Sequence, residues 1–74
     1  MRALQFKITL EQLILKEWDR WKREDQVFIE QRAKQNGVDM DYDPKYDEMN
    51  FAGTPQQLYF FMYDLAYRYD VELI

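Results

Sequence analysis

The side chains that could do chemistry in this chain are carboxylates and phenols. Asp39, Asp41, Asp43, Asp47 and Glu48 fall within ten residues, with Tyr42 and Tyr46 between them. The spacing Asp39-x-Asp41-x-Asp43 matches the first three ligand positions of a calcium-binding EF-hand loop. Beyond that the match fails. Pro44 stands where the turn requires glycine, and Asn50 stands where a bidentate glutamate is needed. No metal site is assigned. The segment reads first as a solvated acidic loop; its functional reading is an electronegative patch that docks on a basic surface, because an Arg- or Lys-lined cleft attracts carboxylates as it does phosphates.

A second constellation is aromatic. Tyr59, Tyr63 and Tyr67 recur every four residues, with Phe60 beside them. At helical spacing they form one stripe. Leu58, Phe61, Met62, Leu65, Ala66 and Tyr69 form another on the opposite side. A helix with two apolar faces is either buried nearly all round or keeps one face for a partner. Tyrosine suits the second use, since it offers a large rigid area and a hydroxyl that tolerates water. Partner-binding residues are therefore expected at Asp39, Asp41, Tyr42, Asp43, Tyr46, Asp47, Glu48, Tyr59, Tyr63 and Tyr67.

Composition excludes most enzyme classes. The 74 residues contain no Cys, no His and no Ser. Disulfides, thiolate or imidazole zinc sites and the usual nucleophile–base pairs are thereby removed. No catalytic residue and no cofactor is assigned. Asp25 lies inside an apolar stripe, but a lone carboxylate is not a site, and it reads as lying at the rim or as paired with an Arg such as Arg32 or Arg68.

The net charge of -4 is unevenly distributed. Residues 1–37 carry eight basic and six acidic side chains, residues 38–74 two basic and eight acidic. Lys16, Arg20, Arg23 and Lys34 share a narrow helical face near Trp18 and Trp21, but acidic residues alternate with them, so direct nucleic-acid binding is not expected. No apolar run approaches the roughly 20 residues that span a membrane, and the N-terminus lacks a signal-peptide core. These features predict a soluble, cytoplasmic protein.

The elements that position these residues are read as follows. Leu4, Phe6 and Ile8 alternate with polar residues and predict a strand. Thr9-Leu10-Glu11-Gln12 has the form of a capping box, opening a helix over 10–35 that stops at Asn36-Gly37. Such a helix would be about 39 Å long, against about 20 Å for a short strand. It would overhang the sheet and expose Phe28, Ile29 and Ala33 for a second copy of the chain. A loop over 38–48, a short strand at 49–51, a helix opened by the capping box Thr54-Pro55-Gln56-Gln57 and a strand at 71–74 complete the chain. The expectation is one α+β domain over residues 1–74, in β-α-β-α-β order, with a three-stranded sheet packed by one long and one shorter helix.

The function these features predict is a non-enzymatic protein-binding module, a small inhibitor or adaptor. The type is represented by phage or mobile-element proteins, such as an anti-CRISPR or other anti-defence protein, that block the basic groove of a host nucleic-acid enzyme. The alternative is a structural or regulatory homo-oligomer joined through Phe28, Ile29 and Ala33 of the first helix.

Overall fold

The computed structural model describes residues 3–9 and 12–73. Five strands form one mixed sheet, and two helices pack on it. The strands are β1 (Ala3–Thr9), β2 (Gln12–Lys16), β3 (Asp39–Asp43), β4 (Glu48–Ala52) and β5 (Asp70–Leu73). The helices are α1 (Arg23–Gln35) and α2 (Pro55–Leu65). The chain is thus α+β, but the three-stranded sheet and the β-α-β-α-β order expected from the sequence are both wrong.

The error begins at residue 9. Thr9 and Gln12 do not cap a helix; they face each other across the β1–β2 hairpin. Leu10 and Glu11, between them, lie outside the described residues. Leu13 and Leu15 are buried and Gln12 and Lys16 exposed, so β2 has the period of a strand. A short apolar run fits either period, and here pairing decides it: Phe6 sits opposite Leu15 and Lys7 opposite Ile14. Glu17 then takes a left-handed conformation (φ 58°), and Trp18–Arg20 make a single 3-10 turn. Only after that does α1 start, 13 residues long instead of 26. It ends where Asn36-Gly37 predicts, with Gly37 at φ +71°. Its inward residues are Asp25, Ile29 and Ala33.

The sheet order is β3-β4-β2-β1-β5. β1 and β5 are parallel, and the other neighbours are antiparallel. It follows that β2 and β3 run the same way, as do β4 and β5. Each pair is joined by a helix, and each helix crosses the sheet on the same side. α1 packs near β3 and α2 near β5, at opposite edges. The second face of the sheet has no layer over it among the described residues. No described helix is long and apolar enough to cross a membrane.

The core lies between sheet and helices. Its centre is three fully buried rings, Phe6, Phe51 and Phe61. Their centroids are 6.0 Å (Phe6–Phe51), 6.5 Å (Phe6–Phe61) and 4.9 Å (Phe51–Phe61) apart. Edge-to-face and tilted contacts of this kind add to the gain from area burial. They tie β1, β4 and α2 together at one point. Trp18 and Trp21 join the same cluster from the segment before α1.

Phe61→Ala should therefore cost about 3–5 kcal/mol in urea unfolding, a large part of the stability of so small a domain. Thr54→Ala removes only the α2 cap and should cost about 1 kcal/mol. Equal losses for the two variants would contradict this placement of the core.

Candidate docking surfaces

α2 opens on a closed capping box. The Thr54 hydroxyl accepts from the Gln57 N–H (3.2 Å), and the Thr54 N–H donates to Gln57 Oε1 (2.9 Å). Pro55 follows the cap, where a missing N–H costs nothing. From there Leu58, Phe61 and Leu65 point into the core. A period of 3.6 then drives Tyr59 and Tyr63 to the far side, and Tyr67 continues their row from the turn after the helix.

Those rings are uncovered. Tyr59 is 58% exposed, Phe60 48%, Tyr63 56% and Tyr67 79%. They are also ordered against one another. Tyr59 stacks on Tyr63 at 6.2 Å, Tyr63 meets Tyr67 edge-on at 5.9 Å, and Tyr59 meets Phe60 at 5.8 Å. A shallow groove lies among Tyr63, Ala66 and Tyr67. The ridge carries no charged side chain. Asp70 and Glu72 of β5 follow it in sequence but stand with Gln5 on the open face of the sheet.

The acidic segment is a hairpin rather than a loop. Asp39, Asp41 and Asp43 are on β3, Glu48 is on β4, and residues 44–47 turn between them. Met40 and Tyr42 pack against the core, so the three Asp side chains alternate onto the open face. Their neighbours on that face include Glu48, Lys16 and Lys7, with Asp70 and Glu72 at the other edge. Lys16 stands opposite Glu48 and offsets part of its charge. Tyr46 is exposed in the turn, with the Lys45 ammonium 5.2 Å from its ring. The acidic row and the tyrosine ridge are thus in different layers and at opposite edges. The structure does not join them into one surface. Among the described residues no three acidic side chains converge closely enough to hold a metal ion.

Two residues expected to meet a partner have internal roles. Asp47 adopts a left-handed conformation (φ 51°). Its carbonyl accepts from the Trp18 N–H (3.2 Å), and its Oδ1 accepts from the Asp19 N–H (3.0 Å). The Tyr42 hydroxyl lies 2.8 Å from that same Oδ1 and 3.1 Å from Asp19 Oδ2. Asp47 and Tyr42 therefore fasten the β3–β4 turn to the 3-10 turn after β2. The hydrogen bond to Asp47 raises the Tyr42 phenol well above its ordinary value, assisted by partial desolvation and by Asp19. No sequence pattern announces this latch, because its members are 23 and 28 residues apart.

Asp25 has the structural role expected of it. Its Oδ1 accepts from the Tyr69 hydroxyl at 2.5 Å and lies 3.6 Å from the Arg68 guanidinium. Arg68 also covers the Phe28 ring at 4.6 Å, and Arg32 lies 5.0 Å from the same ring. Ile29 and Ala33 are fully buried. The overhanging α1 with Phe28, Ile29 and Ala33 free for a second copy does not exist, because the 26-residue helix that would overhang is not formed.

Fold and surfaces together define a small α+β domain built from two helix crossovers on one mixed sheet, with an aromatic helix face and an acidic sheet face both open. Comparison with protein-family models, with curated proteins and with solved structures finds no match.

The latch can be tested by alkaline titration. Because the folded phenol is raised, its contribution to stability is fully present below pH about 10, the ordinary tyrosine value, and is lost as pH rises further. The stability difference between the wild type and Tyr42→Phe should hold constant up to that pH and shrink above it. A difference unchanged far into alkali would show that the phenol is not held by the carboxylates.

Proposed function

We propose that this chain is a non-enzymatic protein-binding module, working as a small inhibitor or adaptor, and that the α2 ridge is its docking surface. The exposure of Tyr59, Phe60, Tyr63 and Tyr67 carries the reading. Monomeric soluble proteins keep few contiguous apolar patches on their surface, and those they keep tend to mark contact sites. The rings are prearranged by mutual stacking, so a partner would lose little entropy in ordering them.

The favoured concrete version is an inhibitor of a host nucleic-acid enzyme, of the kind phages and mobile elements carry. The open sheet face supports it: Asp39, Asp41 and Asp43 repeat along a strand at about 6.6 Å, a regular array of anions that an Arg- or Lys-lined groove would attract. The ridge and this array would then touch separate regions of the partner. The absence of Cys, His and Ser supports a binding role over a catalytic one. Association through α1 is not proposed, since its apolar residues are used within the fold.

The test is capture from a host lysate with wild-type and Tyr63→Ala protein. Tyr63 is exposed, so its replacement should change stability by less than about 0.5 kcal/mol. A ridge partner should fall in recovery by roughly tenfold or more. If the same proteins return in equal amounts from both, the ridge is not the docking surface.

A further inference from the structure

The other edge of the sheet carries a separate surface. Among the described residues β3 pairs with β4 on one side only, and it ends the sheet order. An edge strand presents unpaired N–H and C=O groups, a template for a further strand. Beside this edge, between β3 and α1, runs an open groove. Val38, Met40, Tyr42 and Met49 supply its apolar lining, and Asp39 of β3 and Glu30 and Lys34 of α1 line the rest. Met40 and Tyr42 pack on the core yet remain half-exposed, so the apolar layer continues beyond the last strand. The Tyr42 ring is held in place through its hydroxyl by Asp47 and Asp19.

The two faces of β3 make different demands on a strand laid beside it. Side chains of an added strand alternate between the faces. Those on the helix side would enter the groove and must be apolar. Those on the open side would stand next to Asp39, Asp41 and Asp43, and must be basic to avoid like-charge pairs. An acidic strand is rejected. That includes this chain's own edges, β3 with its three Asp and β5 with Asp70 and Glu72. Carboxylates alone would only blunt the edge against aggregation. The adjoining apolar groove is what blunting does not require.

We propose that β3 accepts, by strand addition, an extended segment of a protein partner in which Lys or Arg alternates with apolar residues. Strand addition of this form takes affinity from main-chain hydrogen bonds and specificity from alternate side chains. The proposal goes beyond the ridge reading: it shares Asp39, Asp41 and Asp43 with the basic-groove version, but it needs the β3 main chain and the adjoining groove and nothing from the ridge, so either can fail alone.

The probes are three labelled peptides, tested on the full chain: Lys-Val-Lys-Val-Lys-Val-Lys, the block isomer Lys-Lys-Lys-Lys-Val-Val-Val, and Glu-Val-Glu-Val-Glu-Val-Glu. Binding is read by fluorescence anisotropy and its location by amide hydrogen exchange. The alternating basic peptide should bind about tenfold more tightly than its block isomer, the acidic peptide should not bind, and new protection should appear within residues 39–43. The variant Asp39→Asn/Asp41→Asn/Asp43→Asn keeps the shape of the strand and should weaken the basic peptide by about tenfold. Its denaturation midpoint confirms that it is folded. Tyr63→Ala should leave peptide binding unchanged. Equal binding of the two basic isomers would show attraction by charge alone and overturn the proposal. So would protection located on α2, or no binding of the alternating peptide at concentrations of the order of 100 μM.

Discussion

The contact among Phe6, Phe51 and Phe61 is what the rest of this structure depends on. It is the point where the first hairpin, the second hairpin and α2 meet. A chain of this length has room for one core, with no disulfide to support it. These rings, the two tryptophans, Tyr69 and the aliphatic residues around them fill the space between sheet and helices. Fixing Phe61 inward also fixes the rotation of α2. Tyr59 and Tyr63 are then on the outside by the helical period, and Tyr67 continues their row.

How much of this the sequence discloses depends on whether the signal is local. The α2 cap at Thr54-Pro55-Gln56-Gln57, the stop at Asn36-Gly37 and the alternation of Leu4 and Phe6 are local, and each has its predicted outcome. The tyrosine ridge is legible for the same reason, since Tyr59 and Tyr63 are one turn apart in a well-capped helix and Tyr67 follows in the turn that ends it. β2 is not legible. Leu13, Ile14 and Leu15 fit a helical stripe and a strand equally well, and the residue that breaks the helix, Glu17, is of a type seldom left-handed. Pairing with β1 settles the matter, and pairing is not a property of the segment. The run Asp39-Met40-Asp41-Tyr42-Asp43 shows the opposite case. Its period of two is plain, but aspartate is so poor a strand former that the composition outweighs the pattern. Only an edge position tolerates such a strand.

Function follows the same division. The residues that the sequence marks as binding candidates are sorted by the fold into three groups. Tyr59, Tyr63 and Tyr67 form an open aromatic surface. Asp39, Asp41 and Asp43 form an acidic row on the bare sheet. Tyr42 and Asp47 are committed to a latch inside the molecule. The charge asymmetry between the two halves of the sequence becomes an asymmetry between layers. Carboxylates of β3, β4 and β5 gather on the open sheet face, whereas α1 carries mixed charge in which acidic residues open the helix and Arg32 and Lys34 close it.

The two helix crossovers explain why these surfaces are apart. β2-α1-β3 takes the chain to one edge of the sheet and β4-α2-β5 takes it to the other. Whatever is displayed on α2 is therefore far from whatever is displayed on β3. With principal extents of 28 × 27 × 22 Å, the molecule is small enough for one large partner to reach round it and touch both edges. It is too thick for a flat partner to do so. A partner that engages both surfaces must then be concave, enclosing the domain as a groove encloses a ligand, and a flat partner must choose one of them. The acidic sheet face lies between the two edges and would form the floor of that contact, so a concave partner should be most basic where it is deepest.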